Sequence, residues 1–101
     1  MQFKFPKNDK DFFWTKHAIE KMIYYGLTES RLKRVIVRPD RKEAGVADDT
    51  IAVMQTIGNK RKTEIWLMYK IDKGIKKIIT AWRYPGVSPI KEVPVPEDEQ
   101  T

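Results

Sequence analysis

Apolar positions recur with a helical period in the first third of the chain and with a period of two in its second half. Ala18, Ile19, Met22 and Ile23 fall at the i, i+3, i+4 spacing of a single apolar stripe, which predicts a helix over 15–25 with Thr15 as its cap and Gly26 as its stop. A second helix is expected from Thr28, with Glu29 in its first turn and Leu27 and Leu32 placed as a hydrophobic staple. Leu32, Val35 and Ile36 form its apolar stripe, and Pro39 closes it near Arg38, because the residue before a proline is pushed out of the α region. Only Gly26 and Leu27 separate the two helices, so a tight helical hairpin or corner follows.

Residues 40–49 show no period, carry Gly45 and mixed charge, and read as a loop. Beyond them, 50–57, 62–71 and 75–84 are rich in Ile, Val, Thr, Trp and Tyr and are separated by short turns at 58–61 and 72–74, which predicts a three-strand antiparallel meander. In the last of these segments Ile78, Thr80, Trp82 and Tyr84 fall on one face, and Lys77, Ile79, Ala81 and Arg83 on the other. Both faces are partly apolar, as expected of a central or partly covered strand. Residues 11–14 offer a short edge strand ahead of the first helix. The fold class expected is α+β, with two N-terminal helices packed on one face of a small, mainly antiparallel sheet. Past Pro85 and Gly86 the chain holds Pro89, Pro94 and Pro96 and turns acidic, so a single domain over 1–90 and a flexible tail over 91–101 are expected.

Composition narrows the chemistry. Among 101 residues there is one His and no Cys, which excludes disulfides, thiolate metal sites and the common zinc geometries within one chain. Asp48 and Asp49 are neighbouring carboxylates with no evident third ligand for magnesium, so neither a metal nor another cofactor is expected. No apolar run approaches a bilayer span and residues 1–10 lack the apolar stretch of a signal peptide, which predicts a cytoplasmic location and no membrane partner. The formal charge of +6 is unevenly distributed: residues 1–90 carry a net +9 and residues 91–101 a net −3. A field of that sign concentrates polyanions, of which nucleic acid is the commonest in a cytoplasm; a lysine-rich solvated surface is the plainer alternative.

The segments Thr15-Lys16-His17-Ala18 with Met22, Tyr25-Gly26-Leu27-Thr28, Val35-Ile36 and Arg38-Pro39-Asp40 together resemble a family of small phage- and plasmid-associated proteins of unknown function. That family is similar in turn to BrnT-type toxins of the RelE-like superfamily. The resemblance covers roughly residues 12 to 84, with Lys21 where the family often has Arg and Tyr25 in place of the Arg before the glycine. It implies a RelE/BrnT-like fold, metal-independent cleavage of mRNA by basic and aromatic residues of the sheet, and a small antitoxin protein as partner.

The candidate residues follow from these two lines. For 2′-hydroxyl attack on the adjacent phosphate, His17 would serve as base or acid, Arg83 with Arg38 as phosphate stabilisers, and Tyr84 as the alternative proton donor. Arg31, Arg34 and Arg38 recur at helical spacing with Arg41 shortly after, a cationic series suited to phosphates. Lys76, Lys77 and Trp82 complete the set expected to contact RNA, the indole by stacking on bases. The alternatives are a non-catalytic RNA- or protein-binding module, with His17 a structural residue and Trp82 a core residue.

Overall fold

Both helices start on a threonine. In the computed structural model, which describes residues 3–58 and 60–86, α1 (Lys16–Tyr25) follows Thr15, whose hydroxyl accepts from the Ala18 N–H at 3.1 Å. Thr28 caps α2 (Glu29–Val37) in the same way, accepting from the Arg31 N–H at 3.1 Å. Gly26 ends α1 in the left-handed region (φ 68°), and Leu27 donates its N–H back to the Met22 carbonyl. At the end of α2 the Arg38 N–H donates to the Arg34 carbonyl at 2.9 Å, and the Gln55 side-chain amide donates to the same carbonyl (3.2 Å) and to that of Arg38 (2.9 Å), the latter lying past the helical ladder. Ala18, Met22, Leu27, Leu32 and Val35 are buried. Ile23 is 49% exposed: it lies about 100° around α1 from Met22, past the edge of the seam that meets the sheet.

Five strands form one mixed sheet: β1 (Phe12–Trp14), β2 (Arg41–Ala44), β3 (Thr50–Ile57), β4 (Thr63–Asp72) and β5 (Ile75–Pro85), in the order β1-β5-β4-β3-β2. The meander β3-β4-β5 and the short N-terminal edge strand match the periodicity, the latter running parallel to β5. The loop expected over 40–49 is corrected, since residues 41–44 pair with β3. Its side chains are mostly charged, and a charged edge strand, which resists edge-to-edge association, leaves no hydrophobic period to read.

Lys73 (φ 54°) and Gly74 (φ 81°) both take left-handed conformations between β4 and β5, the requirement of a two-residue type I′ hairpin. The resulting register sets Asp72 opposite Ile75 and Lys70 opposite Lys77. One extra β5 residue then shifts the ladder, so Tyr69 faces Ile78 while Met68 faces Thr80. This bulge corrects the simple alternation expected of β5. Ile78 joins Ala81 in the core beneath the helices, and Thr80, Trp82 and Tyr84 point to the opposite face.

The helix-side core holds Trp14, Met22, Leu32, Val53, Leu67 and Ile78, among others. Tyr69 belongs to it, and burial pushes its phenol above the ordinary value of 10.0. An acid with a raised folded-state pKa holds its proton in the native chain while the unfolded chain releases it, so stability falls as pH rises above about 10. Tyr69→Phe removes part of that fall, which urea titrations at about pH 9 and about pH 11 measure. The expectations for residues 87–101 lie outside the described residues.

Candidate functional site

The sheet face turned away from the helices carries its own cluster of Ala52, Met54 and Trp66, with Trp82 packed against it. Ladder pairing puts Arg41, Met54, Trp66 and Trp82 in one row across β2, β3, β4 and β5. The two indoles stand almost parallel, 3° apart with centroids 5.6 Å apart, an offset stack. The Arg41 guanidinium lies over the Trp66 ring at 5.2 Å. Guanidinium, indole and indole thus form a series that ends on Trp82. Among the described residues no strand pairs with β5 beyond Ile78 on the side of β1, so Trp82 stands on a strand whose outer edge is unpaired at its level.

A buried carboxylate anchors the row. Glu64, fully buried, accepts from the Trp66 indole N–H at 2.8 Å and lies 3.6 Å from an Arg41 nitrogen. Arg41 also bonds Glu43 at 2.6 Å, so the guanidinium is held between two carboxylates while it covers the indole. Tyr84 stands opposite Glu64 in the ladder and is 36% exposed.

Four residues further along β4 the same face ends in a shallow recess floored by Lys70, Lys77 and Ile79. One wall is the start of α1, with Thr15 and His17; the other is the β2–β3 loop with Asp48. Both walls are fixed. The Thr15 hydroxyl donates to the Ile78 carbonyl at 2.8 Å, and Gly45 lets the loop sit against the sheet, where a Cβ would collide with the Thr50 hydroxyl and come within 2.9 Å of the Met68 sulfur.

The residues expected to act together fall in separate places. His17 stands in the first turn of α1, whereas both the Nε and an Nη of Arg83 donate to the Tyr25 carbonyl, at 3.3 and 3.2 Å, at the other end of that helix. Eight residues of α-helix separate these levels by about 12 Å. Arg38 lies at the far end of α2 beside Arg34, Val37 and Gln55, and Tyr84 is on the open sheet face. The structure therefore does not bring His17, Arg38, Arg83 and Tyr84 into one site.

The RNA-contacting set also divides. Arg31, Arg34 and Arg38 ride on α2, and Lys76 lies 6.0 Å from the Phe12 ring, with Phe12 packed against the helix-side core. Arg41, Lys77 and Trp82 share the opposite face, so Arg41 does not extend the α2 series as its spacing suggested. Lys70, Phe13 and the role of Trp66 escaped the sequence reading. The first was accessible, since a two-residue turn at Lys73-Gly74 sets Lys70 opposite Lys77.

Among the described residues no group of His, Asp and Glu side chains is arranged to hold a metal ion, and no helix is long and apolar enough to cross a membrane. No protein-family model, curated protein or solved structure matches the chain.

Proposed function

We propose that this protein is a toxin-like, non-catalytic RNA-binding module that holds a single strand on the sheet face opposite its helices. The observation that carries the reading is the row ending on Trp82: an indole held by its stack on Trp66, on a strand whose outer edge is unpaired at that level among the described residues. A flat, immobilised aromatic is what an unstacked base needs, and every base has a π-face, so such recognition tolerates sequence. Tyr84, 36% exposed, extends the aromatic surface, and Phe13, 44% exposed, stands at the far end of the face beside Lys77. Lys70 and Lys77 supply cations at its end, within a region of net charge +9. Cleavage by His17, Arg38, Arg83 and Tyr84 in concert is not part of this reading, because those groups stand apart. The resemblance to a family of small phage- and plasmid-associated proteins, itself similar to BrnT-type toxins, supports RNA as the polyanion and adds a small antitoxin as a second partner.

The test is fluorescence anisotropy of a labelled oligouridine titrated with protein across a salt series. Contacts to three or four phosphates give a slope of log K against log salt of about −2 to −3, each single-strand phosphate contributing about −0.7. No binding at about 50 mM salt, or a slope near zero, overturns the proposal.

A further inference from the structure

The recess at the end of the open face holds a charge arrangement that the fold itself does not resolve. Lys70 and Lys77 are directly opposite on adjacent strands, which places their Cβ atoms about 5 Å apart, and like charges so placed repel. The Lys77 ammonium lies 6.0 Å from the centre of the Phe13 ring on β1, and no ion pair among the described residues includes either lysine. His17 stands on one wall above them, adding a third nitrogen-bearing side chain, against one carboxylate, Asp48, on the other. The repulsion is built in by the type I′ turn at Lys73-Gly74, whose register leaves the two lysines no alternative partner strand. A bound anion would relieve it.

Resting on the RNA-binding reading above, we infer that this recess takes a phosphate monoester, the phosphorylated end of the RNA strand that lies on the aromatic row. A monoester carries close to two negative charges at neutral pH and offers three terminal oxygens, whereas an internal phosphodiester carries one charge. Two ammonium groups with three donors each suit the former. The shape agrees. The recess lies at the end of the open face, flanked by the start of α1 and by the β2–β3 loop, where a strand running along the aromatic row reaches its end. From the Trp66–Trp82 pair to the Lys70–Lys77 pair is four residues of β4, about 13 Å, which leaves room for stacked bases before the end is reached.

The experiment compares one oligouridine bearing a 5′-phosphate, a 3′-phosphate or hydroxyls at both ends, together with inorganic phosphate alone. Phosphate on one of the two ends raises affinity about tenfold over the hydroxyl-ended strand, and Lys70→Gln and Lys77→Gln each reduce that gain below about threefold. Lys60→Gln, the same loss of charge at the exposed tip between β3 and β4, leaves the gain intact. Equal affinity for all three strands, or a gain that survives both lysine substitutions, overturns the assignment while leaving RNA binding in place. Should the hydroxyl-ended strand not bind at all, the RNA reading fails and the recess is judged on the imidazole resonances of His17. Their displacement by inorganic phosphate in the wild type but not in Lys77→Gln keeps a phosphate site of free origin, and their constancy removes it.

Discussion

Trp82→Ala lowers affinity for single-stranded RNA by about 10- to 100-fold, since stacking on an aromatic platform contributes roughly 1–3 kcal/mol per base. The salt slope stays unchanged, because no charge has been removed. Lys77→Gln gives the converse signature: a smaller loss, but a slope shallower by about 0.7. The contrast separates base stacking from phosphate contact in a way that a single affinity cannot. Trp82 is half-buried and lies outside the helix-side core, so the substituted protein keeps its fold at a cost of about 1–2 kcal/mol from the lost contact with Trp66. Trp82→Phe restores most of the binding by restoring a flat ring. Full affinity in a folded Trp82→Ala variant would remove the aromatic row from the interface.

The fate of β5 illustrates which parts of this architecture were legible in the chain. The strand's existence, its pairing with β4 and its central place follow from Ile75 to Tyr84 and from the flanking turns, and the structure agrees. Which residues share a face depended on one unpaired residue at the bulge, and strict alternation carries no sign of a bulge that no glycine marks. That residue decides the site, because it puts Ile78 and Trp82 on opposite faces. β2 escaped for a different reason. Arg41-Lys42-Glu43-Ala44 has no apolar period, and its place in the sheet is fixed by partners such as Glu64, distant in sequence. His17 and Arg83 stand as members of one site only if the start of α1 meets the C-terminal half of β5. The Thr15 hydroxyl instead binds the Ile78 and Ile79 carbonyls, which sets the start of α1 near the middle of the strand and leaves Arg83 level with Tyr25. Helix direction over a sheet is a tertiary property, and neither residue's local sequence encodes it.

The largest effect on stability is expected from Arg41→Met, although arginine at an edge strand ordinarily contributes little. Exposed ion pairs are worth about 0–1 kcal/mol, but the partner here is Glu64, a carboxylate with no exposed surface. Removing the guanidinium deprives that desolvated carboxylate of a cation 3.6 Å away, and breaking a buried pair from one side costs about 3–5 kcal/mol. The value expected here is about 3 kcal/mol, near the lower bound, because the Trp66 indole N–H still donates to Glu64. Glu64→Gln acts from the other side and costs less, about 1–2 kcal/mol: the amide oxygen can still accept from Trp66, and Arg41 retains Glu43. The double variant Arg41→Met with Glu64→Gln therefore comes out more stable than Arg41→Met alone, since the buried charge has gone together with its counterion. Urea denaturation of the four proteins at one pH gives the coupling directly. Additive losses, or a cost below about 1 kcal/mol for Arg41→Met, would mean that Glu64 is compensated by other groups and that Arg41 serves only as the cover of Trp66.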